Sequence, residues 1–218
     1  MKSKTVLLLF IIGFLLSAPA SAQKDSKAKE ILDKTSVLLN QSGGISASFT
    51  ININDAVNNI KESFEGQMFL KGAKFFFDAP EQTVYFDGKT QWVYNKSFDE
   101  VSILEPQPQD LKAMNPVLVF ELYKTDCDYK YKGEKTDIQK RKVHEISLFP
   151  KNKKEEIKQV DMQINPVDNM PVFIQITYNN NMEFRIYITK YQTKLDLPDS
   201  QFVFDKSKFP NVEINDLR

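Results

Sequence analysis

The sequence predicts a mainly β protein whose strands form an antiparallel sheet, sandwich or barrel. Roughly ten short segments rich in Val, Ile, Phe and Tyr follow one another at regular spacing, separated by turn residues. Aromatic residues make up 12% of the 218 residues and concentrate in these segments. We find neither an internal repeat nor a linker that would divide the chain after residue 22. The pattern therefore indicates a single domain over residues 23–218.

The first 22 residues are predicted to be a secretory signal peptide. Lys2 and Lys4 precede an apolar run over residues 6–16, and Ala20-Ser21-Ala22 supplies a small-residue cleavage site. The run is shorter than the ~20 apolar residues of a membrane-spanning helix. No cysteine follows the run, so the sequence gives no signal for lipidation of the new N-terminus. We expect a soluble protein exported to the periplasm.

The exported protein should begin at Gln23 and carry no lipid. Intact-mass measurement of protein recovered from the periplasm checks this expectation directly, because an uncleaved leader or an added diacylglycerol changes the mass. A start before Gln23, or a mass higher by one diacylglycerol, would contradict it.

A helix is the first element predicted after the leader, and a strand follows it. Ala28, Ile31, Leu32, Thr35, Leu38 and Leu39 recur at i, i+3 and i+4. Ser26 can cap this helix, and Gly43-Gly44 can end it. From Ile45 the apolar period becomes two, which is typical of a strand with one buried and one wet face.

Further segments with strand character follow, and one helical segment interrupts them. The predicted strands cover residues 60–70, 74–78, 83–87, 91–95, 100–104, 142–149, 156–164, 172–178, 182–192 and 201–204. Between the fifth and sixth of these, Asn115-Pro116 is a typical helix start. Residues 117–123 are almost entirely apolar and would also suit a buried strand, but the Asn-Pro start favours a helix.

The composition excludes several classes of chemistry. A single cysteine, Cys127, excludes an intramolecular disulfide and zinc sites built from several thiolates, and only one histidine exists. His144 alternates with its neighbours on a predicted strand, which favours a structural role. Asp126 and Asp128 flank Cys127 and would raise the pKa of its thiol, which is unfavourable for a nucleophile. With 29 basic and 29 acidic residues, a preference for nucleic acid is not expected either. We predict no enzyme and no cofactor.

The aromatic residues have two possible roles. In Lys74-Phe75-Phe76-Phe77-Asp78 both faces of the strand are apolar. A closed sandwich core would explain this pattern, and so would a sheet curled around a cavity for an apolar ligand. Periodicity leaves both alternatives open. The residues predicted to line such a cavity are Phe49, Ile51, Met68, Leu70, Phe75, Phe77, Trp92 and Tyr94.

Five stretches of the chain resemble one known family. They are FEGQMFLKG at 64–72, DGKTQWVYN at 87–95, NP at 115–116 with its apolar helix, FVFD at 202–205 and VEINDLR at 212–218. In these stretches the chain resembles LolA, the periplasmic carrier of outer-membrane lipoproteins, in the variety found in Bacteroidetes-like bacteria. The resemblance extends over essentially the whole predicted mature chain.

The resemblance implies a fold, a function and partners. The fold would be an incomplete antiparallel β-barrel with covering α-helices, in which Ile31, Leu32, Leu118 and Phe120 are candidate lid residues. The function would be that of a monomeric chaperone that shelters the acyl chains of lipoproteins. Acylated lipoproteins would arrive from an inner-membrane ABC transporter and pass to an outer-membrane acceptor. One departure is visible, because the best-known members have Arg-Pro where this chain has Gly72-Ala73.

The sequence is compatible with three alternatives to a carrier. A lipid- or lipoprotein-sensing regulatory module could use the same fold. The outer-membrane acceptor resembles the carrier but is lipidated, and the missing cysteine after the leader disfavours it. A lipid esterase would have to use His144, and it is the least favoured of the three.

Overall fold

A computed structural model describes residues 25–41, 43–106, 123–152 and 156–218. The predicted leader and residues 115–122 of the predicted lid lie outside these ranges. The elements in chain order are helix α1 (Ser26–Gln41) and the strands β1 (Gly44–Asp55), β2 (Ile60–Lys71), β3 (Lys74–Asp78), β4 (Gln82–Phe86), β5 (Gln91–Asn95), β6 (Glu100–Leu104), β7 (Cys127–Thr136), β8 (Lys142–Pro150), β9 (Ile157–Ile164), β10 (Pro171–Tyr178), β11 (Glu183–Leu195) and β12 (Glu213–Asp216). Two short 3-10 helices, Asp199–Phe202 and Lys206–Lys208, precede β12.

All twelve strands belong to one sheet, in the order β12-β6-β5-β4-β3-β2-β1-β11-β10-β9-β8-β7. Neighbours are antiparallel except β12, which runs parallel to β6. Side chains from strands as far apart as β3 and β9 pack in one core, exemplified by Phe75 and Met162, so the sheet curls around that face. Its first and last strands do not pair with each other. The predicted incomplete antiparallel barrel is therefore confirmed, and the closed sandwich is excluded.

Helix α1 packs on the concave face of this sheet. Its inner side buries Ala28, Ile31 and Leu32. The helix is capped by Asp25, whose Oδ1 accepts hydrogen bonds from the backbone N–H groups of residues 27 and 28 at 3.0 and 3.1 Å. The predicted cap, Ser26, was wrong by one residue, because Ser26 already belongs to the helix. Asp and Ser are about equally good N-caps, so sequence preference alone could not decide between them.

Three polar contacts fix α1 to the sheet. The backbone N–H of Tyr131 in β7 donates to Asp25 Oδ2 at 3.0 Å. The Tyr123 hydroxyl donates to Asp33 at 2.6 Å, and the Thr35 hydroxyl donates to the Asn169 carbonyl oxygen at 2.9 Å. The helix is therefore tied to the β7 side of the sheet and to the β9–β10 turn.

A second, smaller core lies on the outer face of the sheet. The segment after β11 crosses this face and buries Phe204 and Val212 beside Val101 of β6. Phe204 stacks on Phe209 with a centroid distance of 5.0 Å. The residues packed around this core are Tyr85, Trp92, Tyr94 and Phe209. Both faces of β4–β6 are therefore covered, which explains the apolar residues on both sides of these strands.

Three elements differ from the sequence-based expectation. Residues 201–204 were predicted as a strand, but Asp199–Phe202 is a 3-10 helix that buries Phe202. Strand β7 was not predicted, because only its first half alternates before charged residues dominate. Strand β12 was not predicted either, because all four of its residues are exposed and show no burial period.

Candidate functional site

The concave face carries six of the eight predicted cavity residues. Phe49 and Ile51 of β1, Met68 and Leu70 of β2 and Phe75 of β3 are buried in the main core. Phe77 packs against the same core, and its ring stacks on Phe49 with centroids 5.4 Å apart. The register explains this grouping, since Met68 is paired with Phe77 and Leu70 with Phe75. Paired residues of neighbouring strands share a face.

An apolar cavity of about 100 Å³ lies over these residues. Five of the six line it, the exception being Phe75. The full lining is Leu39, Ile45, Ala47, Phe49, Ile51, Met68, Leu70, Phe77, Pro171, Ile174, Ile186, Ile188 and Tyr191. None of these described lining residues is charged. The hydroxyl of Tyr191 donates to the Pro171 carbonyl oxygen, and burial raises the pKa of this phenol. The hydroxyl among the described lining residues is therefore already hydrogen-bonded.

A wider groove of about 800 Å³ shares Ile51 and Phe77 with this cavity. It lies where β1 and β3 end and β11 begins, and Phe184 of β11 lines one side. Its lining is Ile51, Ile53, Glu62, Ser63, Phe64, Phe75, Phe77, Ala79, Pro80, Glu81, Gln82, Val84 and Phe184. We call this end of the concave face the mouth. Its volume is within the roughly 300–1,000 Å³ typical of ligand pockets.

Trp92 and Tyr94 do not line this cavity, which corrects their predicted placement. They lie on the outer face, where Tyr94 packs on Phe209 with centroids 4.6 Å apart. The Tyr94 hydroxyl donates to Asp99 at 2.9 Å. Alternation places both residues on one face of β5, but it carries no information about which face is concave. On the concave side, the β5 residue that packs against the main core is Val93.

Two of the four candidate lid residues belong to helix α1, and the other two lie outside the described residues. Ile31 and Leu32 are 2% and 0% exposed, and their side chains on the inner side of α1 belong to the main core. Leu118 and Phe120 lie outside the described residues. Reasoning from the sequence missed the β10 and β11 side of the cavity, which contributes Ile174, Ile186 and Ile188. The period-two spacing of Phe184, Ile186 and Ile188 could have indicated that these residues share one apolar face of their strand.

Titratable groups elsewhere are tied into structural contacts. The Tyr131 hydroxyl and His144 Nδ1 form a hydrogen bond of 3.0 Å. Burial lowers the pKa of His144, and the nearby Glu134 carboxylate acts in the opposite direction. Cys127 is buried. Within residues 25–41, 43–106, 123–152 and 156–218, no three His, Cys, Asp or Glu side chains are placed to hold a metal ion.

The Gly72-Ala73 turn is held by lysines on both sides. Lys71 Nζ donates to the Leu197 carbonyl oxygen at 2.6 Å, and it lies 3.2 Å from Asp199. Lys74 Nζ is 2.8 Å from the second oxygen of Asp199. These two cations hold the pKa of the Asp199 carboxyl below its usual value. The turn between β2 and β3 is thus fastened to the segment that follows β11.

The sequence pattern of the family described as "Outer membrane lipoprotein carrier protein LolA" matches residues 18–179, which is most of the chain. The chain belongs to the LolA family. This match includes four of the strands that line the cavity, β1, β2, β3 and β10. No curated protein sequence matches this LolA-family chain significantly.

Several solved structures are similar to this LolA-family chain at low sequence identity. An uncharacterized conserved protein from Thermus thermophilus superimposes with a TM-score of 0.58 at 12% identity, over 87% of this chain and 99% of its own. A LolA superfamily protein from Nitrosomonas europaea gives a TM-score of 0.46 at 12% identity, over 81% and 97% of the two chains. LprF from Mycobacterium bovis gives 0.46 at 10% identity, over 81% and 98%. No helix in the described part of the chain is long and apolar enough to span a membrane.

Proposed function

We propose that this LolA-family protein carries the acyl chains of lipoproteins across the periplasm, from the inner to the outer membrane. The observation that carries the proposal is the open concave face, where a groove of about 800 Å³ adjoins a cavity whose described lining residues are uncharged. Membership of the LolA family supports the same cargo. The bound acyl chain would contact Ile51, Met68 and Phe77 on one side and Ile174 and Ile186 on the other.

The energetics of lipid transfer explain why such a surface is needed. Burying acyl chains gains about 0.8 kcal/mol per CH₂, so one long chain exposed to water costs on the order of 10 kcal/mol. A carrier has to offset this cost and still release its cargo. Aliphatic and aromatic side chains meet both requirements, because their contacts are non-directional and no fixed polar partner has to be broken on release.

The proposed function defines the partners. Cargo would be received from an inner-membrane ABC transporter and delivered to an outer-membrane acceptor, with the carrier acting as a monomer. Transfer requires neither a cofactor nor covalent chemistry, since the acyl chain only moves between apolar environments.

A fluorescent apolar probe should bind the exported protein saturably and be displaced by an acylated peptide. The unacylated peptide of the same sequence is the matched control, and it should leave the probe in place. Fluorescence titration measures both reactions, and circular dichroism verifies that the sample is folded. A folded sample without saturable probe binding would contradict the proposed function.

A further inference from the structure

Strand β2 has a free edge beside the wide groove at the mouth. Residues 60–66 pair with β1, whereas the pairing of β2 with β3 begins at Gln67, which is opposite Asp78. After Asp78 the chain turns into β4 instead of continuing along β2. In the described part of the chain, residues 60–66 therefore have a partner strand on one side only. At about 3.4 Å per residue, this edge is about 20 Å long.

The turn after β3 shows which backbone groups point toward β2. The N–H of Ala79 donates to the Gln82 carbonyl oxygen at 3.0 Å, so Ala79 directs its backbone groups to β4. In an antiparallel sheet, successive residues of a strand direct these groups to opposite sides. Asp78 therefore directs its backbone groups to β2, where it is opposite Gln67. Gln67 in turn directs its N–H and C=O groups to β3, away from β1.

The same alternation continues along the free edge. Strand β2 pairs with β1 without a register shift, so Lys61, Ser63 and Glu65 direct their N–H and C=O groups to the same side as Gln67. These three residues are exposed. Within the described residues, none of their backbone groups has a hydrogen-bond partner on that side. The edge therefore offers backbone donors and acceptors in the geometry of a strand ladder.

Open space borders this edge on both faces of the sheet. The wide groove on the concave face contacts β2 at residues 62–64. A second groove of about 550 Å³, on the outer face, contacts β2 at residues 65–67. Ala79 and Pro80 of the β3–β4 turn line both grooves. The free edge of β2 and this turn are therefore the two sides of a gap in the sheet, which we call the notch.

An extended polypeptide is the ligand that matches the notch. Its main chain can pair with the backbone groups of the edge, and its alternate side chains then point to the two faces of the sheet. On the concave face they would meet Phe64 and Phe184 in the wide groove. Residues 60–66 contain neither a proline nor a register shift that would prevent a further strand from pairing. An acyl chain has no groups to form such a ladder.

We propose that the notch binds the polypeptide of acylated cargo as an added strand on β2. The inference rests on the proposed function, because the wide groove connects the notch with the apolar cavity for the acyl chain through Ile51 and Phe77. A polypeptide attached to an acyl chain in that cavity begins at the groove that borders the notch. Main-chain pairing supplies affinity without reading side chains, so one carrier can hold cargo proteins of different sequence.

The test uses a palmitoylated peptide in which a short extended segment follows the acylated cysteine. Two further forms carry N-methyl groups on the backbone nitrogens, either at the odd or at the even positions of that segment. Only one of these two sets of N–H groups faces β2 in an added strand. Fluorescence anisotropy measures binding to the exported protein. One methylated form should bind about 10-fold more weakly than the unmethylated peptide, and the other should bind within about twofold of it.

Proline variants assign this difference to the notch. Ser63→Pro removes an N–H that points into the notch, whereas the hydrogen bonds between β2 and β1 are made by the alternate residues. In this variant the two methylated forms should bind alike, and the unmethylated peptide should bind about 10-fold more weakly than it binds the original protein. Glu65→Pro, at the next position that faces the notch, should give the same result. Circular dichroism and urea unfolding verify that both variants are folded.

Asp216→Pro is the matched control, because it places a proline on the other end of the sheet. The N–H groups of Glu213 and Leu217 donate to Asp99 and Ile103, so the alternate residue Asp216 directs its N–H out of β12. This variant should leave the affinities of all three peptides unchanged.

Each outcome separates the inference from the proposed function. Equal binding of the two methylated forms to the original protein would overturn strand pairing while leaving acyl binding intact. A difference that persists in folded Ser63→Pro and Glu65→Pro would overturn the assignment to the notch. If even the unmethylated palmitoylated peptide fails to bind a folded sample, the proposed function fails, and the inference fails with it.

Discussion

Gly66→Ala should destabilise the protein by about 3 kcal/mol, a large effect for the addition of one methyl group. A Cβ at this position would lie 2.5 Å from Cε2 of Phe49 and 2.6 Å from the backbone oxygen of Asp78. The ring cannot simply move aside, because it stacks on Phe77 at 5.4 Å. The carbonyl oxygen is held by the β2–β3 pairing, where Asp78 faces Gln67. Urea unfolding measures the change in the free energy of unfolding.

Gly72→Ala provides the comparison for this prediction. Gly72 has a φ of +59°, but a Cβ there meets nothing within 4 Å. Its replacement should cost only about 1 kcal/mol, from the left-handed backbone conformation. In a Phe49→Leu background the cost of Gly66→Ala should fall by about 1 kcal/mol, because the ring is one of the two obstacles. Equal costs for Gly66→Ala and Gly72→Ala would contradict the predicted clash.

Ile186→Glu should weaken binding of an apolar probe or an acylated peptide at least tenfold, which corresponds to about 1.4 kcal/mol. Ile186 lines the apolar cavity from β11 and is only half-buried, so a carboxylate there remains hydrated in the free protein. A bound acyl chain would displace that water without offering a hydrogen bond in return. Fluorescence titration measures the loss of affinity, and circular dichroism verifies that the sheet is retained.

Gln192→Glu is the matched control for Ile186→Glu. It adds the same charge on the same strand, at an exposed position that does not line the cavity. Its affinity for the probe should remain within about twofold of the original, since an exposed charge in water interacts only weakly at a distance. If both variants lost binding equally, net charge would explain the effect, and the cavity assignment would be wrong.

Much of the fold could be predicted because alternation reports burial within a single strand. The bounds of β3, β5 and β6 were predicted to the residue, and Phe49 and Ile51 were placed together on one face of β1. Local patterns carry no information about the partner of a strand. For that reason the prediction that Trp92 and Tyr94 line the cavity was wrong. The face they share is covered by a segment more than 100 residues later in the chain.

Only one wall of the apolar cavity could be predicted from the sequence. Reasoning from the sequence placed β1, β2 and β3 at the cavity but did not place β10 and β11 there, although Ile174 and Ile188 line it. The pairing of β1 with β11, such as Ile51 with Ile186, joins residues that are far apart in sequence. Only that pairing makes Ile174 and Met68 parts of one lining.

The seam between β1 and β11 has a consequence for the order in which the chain can fold. Strands β1–β6 can pair as a meander of local antiparallel hairpins, and so can β7–β11, but the contact between the two meanders spans more than 120 residues. Non-local pairings of this kind close slowly, because the entropy of the intervening loop is lost before the contact forms. The apolar cavity has one wall from each meander. We expect the proposed capacity to accept an acyl chain to appear with closure of this seam, and therefore no earlier than synthesis of β11.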